Sequence, residues 1–211
     1  MKLFGIFGAG GAGRGVLPFV RDSLGHAGEA GEAGEAVFVD DARAGESING
    51  ARTLSLKAFS KAADKAICIA VADGSRRARI VQRCEDAGVP FFSALAQQRV
   101  QMDDVKLGIG ALISPYTTLT SNICVGRHFH LNLYSYVEHD CRIGDFVTFA
   151  PAVRCNGNVT IADHAYVGSN AVIRQGVTIG EGAVIGMGAV VTRDVPPNET
   201  WAGNPARALK T

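Results

Sequence analysis

The feature that most constrains this chain is a period of six. Every sixth residue from Leu107 to Val191 is apolar: Leu107, Ile113, Leu119, Val125, Leu131, Val137, Ile143, Phe149, Cys155, Ile161, Val167, Ile173, Ile179, Ile185 and Val191. Four residues after each stands a second series, from Ala111, Thr117 and Ile123 through Ser135, Cys141 and Val147 to Ala189 and Val195, mostly small or β-branched. Glycine often follows the first series directly, as Gly108, Gly126, Gly144, Gly168, Gly180 and Gly186. No insertion breaks the phase.

Six matches neither the 3.6-residue helix nor the two-residue strand. It fits a coil of short strands, each side of a prism sending one large and one small side chain inward, three hexads to a turn and five turns in all. One hexad cannot cover its own inward residue. Stacked coils cover one another, at roughly 1.5–3 kcal/mol for each fully buried large aliphatic. The glycines are expected at corners that need unusual dihedrals. Residues 94–106 precede the strict register and read as an irregular first coil or a connector.

The bulk numbers exclude more than they identify. The net charge of +1 does not suggest nucleic acid or an anionic membrane. No apolar run approaches the ~18 residues of a membrane span. The apolar N-terminus has one basic residue and breaks into glycines, so it does not read as a signal peptide. Five scattered cysteines without CxxC spacing read as small core residues in a reducing cytoplasm.

Ahead of the repeats lies a different grammar. Lys2 to Phe7 reads as a strand, Gly8-Ala9-Gly10-Gly11-Ala12-Gly13 as a turn, and Val16, Leu17, Phe19 and Val20 as a helical stripe. A glycine turn between strand and helix lets backbone N–H groups approach a phosphate pair. The Gly-Glu-Ala triplets between Leu24 and Ala36 read as an acidic surface loop. A second strand from Val37 ends in Asp40-Asp41, where such a fold hydrogen-bonds a ribose or base, or where an acidic pair is simply solvated. Ala66 to Ala72 is apolar throughout, as in a buried parallel strand. Asp73 or Ser75 caps a helix over 76–87, whose Arg76, Arg77 and Arg79 read partly as a solvated face, with Arg76 near enough to the strand end to approach a phosphate. Val89 to Phe92 reads as a last short strand. The predicted fold is a small Rossmann-like α/β unit over 1–93, with its crevice at the strand ends, followed by an all-β parallel helix over 94–211.

Chemistry is sought in hexad residues that the prism does not need. In Val137-Glu138-His139-Asp140-Cys141-Arg142, Val137 and Cys141 point inward, leaving His139 and Asp140 outside. Imidazole takes a proton near neutral pH, and a carboxylate beside it fixes the tautomer. The same two residues are equally a plain surface pair.

The stretch His139-Asp140-Cys141-Arg142-Ile143-Gly144-Asp145 resembles the His-Asp/Glu-Cys-x-Ile-Gly segment of the sialic-acid O-acetyltransferase and bacillosamine-type nucleotide-amino-sugar N-acetyltransferase family, whose hexapeptide β-helix is left-handed. The glycine loop, Asp40-Asp41, Cys155-Asn156-Gly157-Asn158-Val159 and Gly203-Asn204-Pro205-Ala206-Arg207 match in order, so the likeness spans nearly the whole chain. It implies acetyl transfer from acetyl-CoA to a nucleotide-linked amino sugar, with His139 as general base oriented by Asp140. It implies CoA on the later coils near Thr148, Gly157, Gly168, Ser169, Gly186, Met187 and Arg207, with Gly188 keeping the surface low and the tail from Trp201 covering the adenine end. It implies the nucleotide sugar at Gly8, Gly10, Gly11, Ala12, Asp40, Asp41, Ala72 and Asp73. Many members carry a second histidine where this chain has Thr148. The family solution is a homotrimer with active sites between subunits, in the cytoplasm. His128, His130 and His164 are expected at the surface or an interface, either of the first two being a candidate to line the cleft beside His139 of a neighbour. O-acetylation of sialic acid and a non-catalytic nucleotide-sugar scaffold are the rival readings. Zinc chemistry is not expected, because no close histidine pair has ligand spacing.

Overall fold

The structure, a computed structural model, describes residues 1–25 and 34–209. Its first unit contains β1 (Lys2–Phe7), α1 (Gly11–Gly25), β2 (Gly34–Val39), β3 (Ser47–Ile48), β4 (Ala51–Leu54), α2 (Leu56–Phe59), β5 (Lys65–Ile69) and α3 (Gly74–Asp86). The strands form one sheet in the order β3-β4-β2-β1-β5, parallel except for the β3–β4 hairpin. Alternation along the strands sends Phe4, Ile6, Phe38 and Cys68 to one face, under Val16, Leu17, Phe19 and Val20 of α1. Phe7, Val37, Val39, Ile67 and Ile69 go to the other, under Ile80, Val81 and Cys84 of α3. The β3–β4 hairpin and α2 fall where the sequence assigned nothing. Val89 to Phe92 forms no strand but a single bridge, Ile67 to Phe91. The Gly-Glu-Ala loop lies mostly outside the described residues, and its last triplet, Gly34 to Ala36, starts β2.

From Ala94 onward the chain winds as a prism. Two- and three-residue strands pair in parallel at a spacing of eighteen residues, as in Cys124 with Arg142 and Arg142 with Thr160. Residues 94–106 are a full first coil, Ala94 pairing with Leu112, Val100 with Thr118 and Val105 with Ile123. Both inward series from Ala111 to Val195 are buried without exception. The tail closes the last coil. Strand Thr200–Ala202 pairs with Val184–Ile185, and Trp201 and Ala206 join the core.

The glycines at the corners do a different job from the one expected. None of Gly108, Gly126, Gly144, Gly168, Gly180 and Gly186 has a positive φ. A Cβ on Gly126 would fall 2.7 Å from the Asp145 nitrogen, so these glycines allow consecutive coils to touch. The left-handed position comes two residues later, with every sixth residue from Asn122 to Asn170 at φ 54–61°. Asn122, Asp140, Asn158 and Asn170 suit that region, whereas His128 and Phe146 adopt it buried in a ring stack.

One corner of the prism carries the α/β unit. His128, Phe146 and His164, one coil apart, stack at 5.4 and 5.2 Å between ring centroids, and Phe91 meets His128 edge-on. Gly74, which opens α3, approaches so closely that a Cβ there would meet the Phe146 carbonyl at 2.5 Å.

Candidate active site

His139 and Asp140 occupy the corner after the strand Tyr136–Val137, where the left-handed turn at Asp140 throws both side chains outward. The imidazole Nδ1 lies 2.8 Å from Asp140 Oδ2. A carboxylate only accepts, so Nδ1 carries the hydrogen and Nε2 presents its lone pair. Asp140 Oδ1 accepts from the Asn122 amide at 3.1 Å. The Asp140 hydrogen bond raises the imidazole above its ordinary range, while His139 and then Asn122 hold the Asp140 carboxyl below its own. Both side chains are about half exposed, at 48 and 53 %. The ring lies over Gly157 of the next coil, where a Cβ would stand 2.5 Å from Nε2. Cys141 beside them faces inward and is buried; of the five free thiols only Cys124 is exposed.

On the α/β side the glycine turn follows strand-turn-helix chemistry. Gly8 has φ +96°, and a Cβ on Gly13 would strike the Gly8 carbonyl, so the third glycine brings α1 onto β1. Gly10 and Gly11 face open space. Asp40 Oδ2 accepts from the Ala9 N–H at 3.1 Å and thereby holds the glycine turn. Asp41 turns away to accept from the Leu56 N–H at 2.9 Å and from Arg83 at 2.7 Å, and these donors keep its carboxyl low. Asp73 caps α3 through the Arg76 N–H at 2.6 Å. A cavity of about 630 Å³ opens between the start of α1 and the prism, with Gly11, Ala12, Ser114, His130 and Asn132 in its wall.

The two units are joined by a residue assigned to a solvated face. Arg77 is fully buried. Its guanidinium donates to the carbonyls of Val71 (2.6 Å), Ala72 (3.1 Å), Phe146 (2.6 Å) and Val147 (3.2 Å), and to Thr148 Oγ1 (3.0 Å). Burial pulls it down to about 9, which leaves it a cation at neutral pH. The signal was present in the sequence: Arg77, Ile80, Val81 and Cys84 follow the i, i+3, i+4, i+7 spacing of a buried stripe.

Thr148 must be moved from the cofactor side. It is 4 % exposed, and its hydroxyl donates to the Ala72 carbonyl at 2.7 Å while accepting from Arg77. Its strand lies between His130 and Tyr166 in a sheet other than the one leading into His139. His130 is buried as well, with Nε2 2.9 Å from the Ile69 carbonyl and Nδ1 3.4 Å from Arg77. Burial and then the Arg77 charge press it well below the usual imidazole range. His128 is buried in the ring stack and likewise pushed down to about 4, first by burial. His128 is closed off from solvent, while His130 shows only an edge to the cavity.

On the later coils Gly168 and Gly186 are stacking positions, a Cβ on Gly168 falling 2.6 Å from the Met187 nitrogen. Ser169 accepts the Gly188 N–H through its carbonyl at 2.8 Å, and Met187 is 82 % exposed. Trp201 belongs to the core and is unavailable to cover a ligand, whereas Arg207 is exposed at the end of the prism.

Three kinds of relative match this arrangement. The family description "Bacterial transferase hexapeptide (six repeats)" fits residues 158–193. GDP-perosamine N-acetyltransferase of Escherichia coli O157:H7 is 46 % identical over 100 % of this chain and 97 % of its own. WeeI from Acinetobacter baumannii AYE superposes with a TM-score of 0.93 at 44 % identity, covering 99 % of this chain and 100 % of that one. A histidine-to-asparagine variant of perosamine N-acetyltransferase from Caulobacter crescentus, solved in complex with CoA and GDP-perosamine, superposes with a TM-score of 0.87 at 25 % identity, covering 99 and 97 %.

Proposed function

Because the chain belongs to the nucleotide-amino-sugar N-acetyltransferases of the hexapeptide-repeat family, with acetyl-CoA as donor, we propose that it acetylates the 4-amino group of GDP-perosamine or a close 4-amino-6-deoxy analogue. The observation that carries the mechanism is the outward His139–Asp140 pair, with Nδ1 fixed at 2.8 Å and Nε2 open. The neutral amine attacks the thioester carbonyl, forming the N–C bond. His139 Nε2 accepts the amine proton, and Asp140 stabilises the imidazolium that results. Collapse breaks the C–S bond, and the proton passes to the departing CoA thiolate. A positioned base of this kind contributes about 10²–10⁴-fold.

On this reading residues 1–93 are the Rossmann-like nucleotide-sugar unit, with Gly8, Gly10, Gly11 and Ala12 at the phosphates and the wall of the cavity at the sugar. Residues 94–211 are the left-handed catalytic coil, and CoA lies along Gly157, Ser169, Met187 and Arg207. The enzyme is a cytoplasmic homotrimer whose active sites lie between subunits. Among the described residues, no helix is long and apolar enough to cross a membrane.

The test is thiol release from acetyl-CoA with GDP-, UDP- and dTDP-linked 4-amino sugars and with sialic acid, using wild type and His139→Ala. Turnover of a nucleotide amino sugar that is lost in the variant supports the reading. Turnover of sialic acid alone makes the enzyme an O-acetyltransferase. Nucleotide binding without any turnover makes it a scaffold.

A further inference from the structure

We propose that Asn122 is a positioning residue for this reaction, setting the basicity of His139 through Asp140; the inference rests on His139 being the base. Asp104, Asn122, Asp140 and Asn158 stand one above another at the same corner of successive coils, all in the left-handed region with φ between 49 and 61°. The backbone fixes this column. The Asp140 N–H donates to the Ser121 carbonyl at 3.0 Å, and the Asn158 N–H to the His139 carbonyl at 2.7 Å. Each side chain therefore starts from a set origin one strand spacing, about 4.8 Å, from the next.

The order of acids and amides in the column matters. A carboxylate directly above or below Asp140 would repel it, whereas an amide can donate to it. Amides occupy both places. Asn122 gives its N–H to Oδ1, which leaves Oδ2 turned toward His139. The other acid of the column, Asp104, is turned toward Lys106 at 3.5 Å. The column lines a polar groove of about 420 Å³ that also contains Lys106, Cys124 and Arg142. The charged and titratable groups around His139 are thus Asp140, Glu138 and Cys141 on its own coil, with Arg142, Lys106 and Asp104 along the groove. Among these Asp140 alone bonds the imidazole, so whatever fixes the Asp140 rotamer fixes the base.

The experiment compares wild type, Asn122→Ala, Asn122→Asp and His139→Gln in the full chain. It reads kcat and both KM values by thiol release, and the His139 titration by NMR, assigned from the signal that His139→Gln removes. Asn122→Ala is expected to lower kcat about 2–10-fold, the worth of one net hydrogen bond, with both KM values unchanged and the His139 midpoint moved down. Asn122→Asp is expected to move the midpoint up, through the added negative charge, and still to lower kcat because the donor is gone. A merely structural role moves neither midpoint. An unmoved midpoint in Asn122→Ala, or a moved midpoint with unchanged kcat, overturns the proposal. Retained activity in His139→Gln instead overturns the base assignment, and the midpoints then still decide whether Asn122 controls Asp140.

Discussion

Gly157 is the floor beneath the His139 imidazole, with space for a ring and none for a Cβ. Gly157→Ala should therefore tilt the ring away from its working position while leaving the prism intact, because the ring it displaces is exposed. A fall in kcat of about 10-fold or more is expected from misplacing the base, with an unchanged melting temperature. Thiol release and a thermal melt check the two halves separately.

The pH dependence follows from the same pair. His139 works as a base only when neutral, and the Asp140 hydrogen bond raises its midpoint above the ordinary imidazole range. Activity should therefore fall as pH drops through this raised midpoint. A raised histidine contributes stability in acid and loses it as pH rises through the folded midpoint, so this loss of activity is not acid unfolding. Asp140→Asn should shift the acid limb to lower pH and reduce kcat about 10-fold or more. A pH–rate profile measured alongside circular dichroism tests both statements.

Arg77 holds the junction of the two units through carbonyls of both. Arg77→Met leaves buried carbonyls of Val71 and Phe146 without their donor, and about 2–5 kcal/mol of stability should be lost. Thr148→Val removes one hydroxyl from the same junction and should cost about 1 kcal/mol. It should also raise KM for the nucleotide sugar while leaving KM for acetyl-CoA alone, because the hydroxyl that is removed bonds the Ala72 carbonyl and Arg77 and no group of the later coils. Urea unfolding and two-substrate kinetics give these values.

Two glycines separate stacking from binding. Gly168→Ala drives a Cβ against the Met187 nitrogen and should cost about 1–3 kcal/mol by overpacking. Gly10→Ala meets nothing within 4 Å, so the melting temperature should hold while affinity for the nucleotide falls. Thermal melts and nucleotide titration distinguish the two.

The period of six determined the prism, its eighteen-residue pairing, every inward residue and the outward placing of His139 and Asp140. Each of these follows from covalent spacing: once a coil repeats, the position of a side chain is set by its phase. The strand-turn-helix order likewise fixed the glycine turn and α1 over β1. Phase says nothing about which corner of the prism another unit occupies. Only the tertiary structure decided that the His128–Phe146–His164 corner meets α3, and this one decision buries Arg77, takes up the Thr148 hydroxyl and ties the His130 ring to the Ile69 carbonyl. Phase places the glycines at the corners and leaves their purpose open. Whether a missing Cβ serves a dihedral or a close contact depends on what lies in the next coil, eighteen residues away.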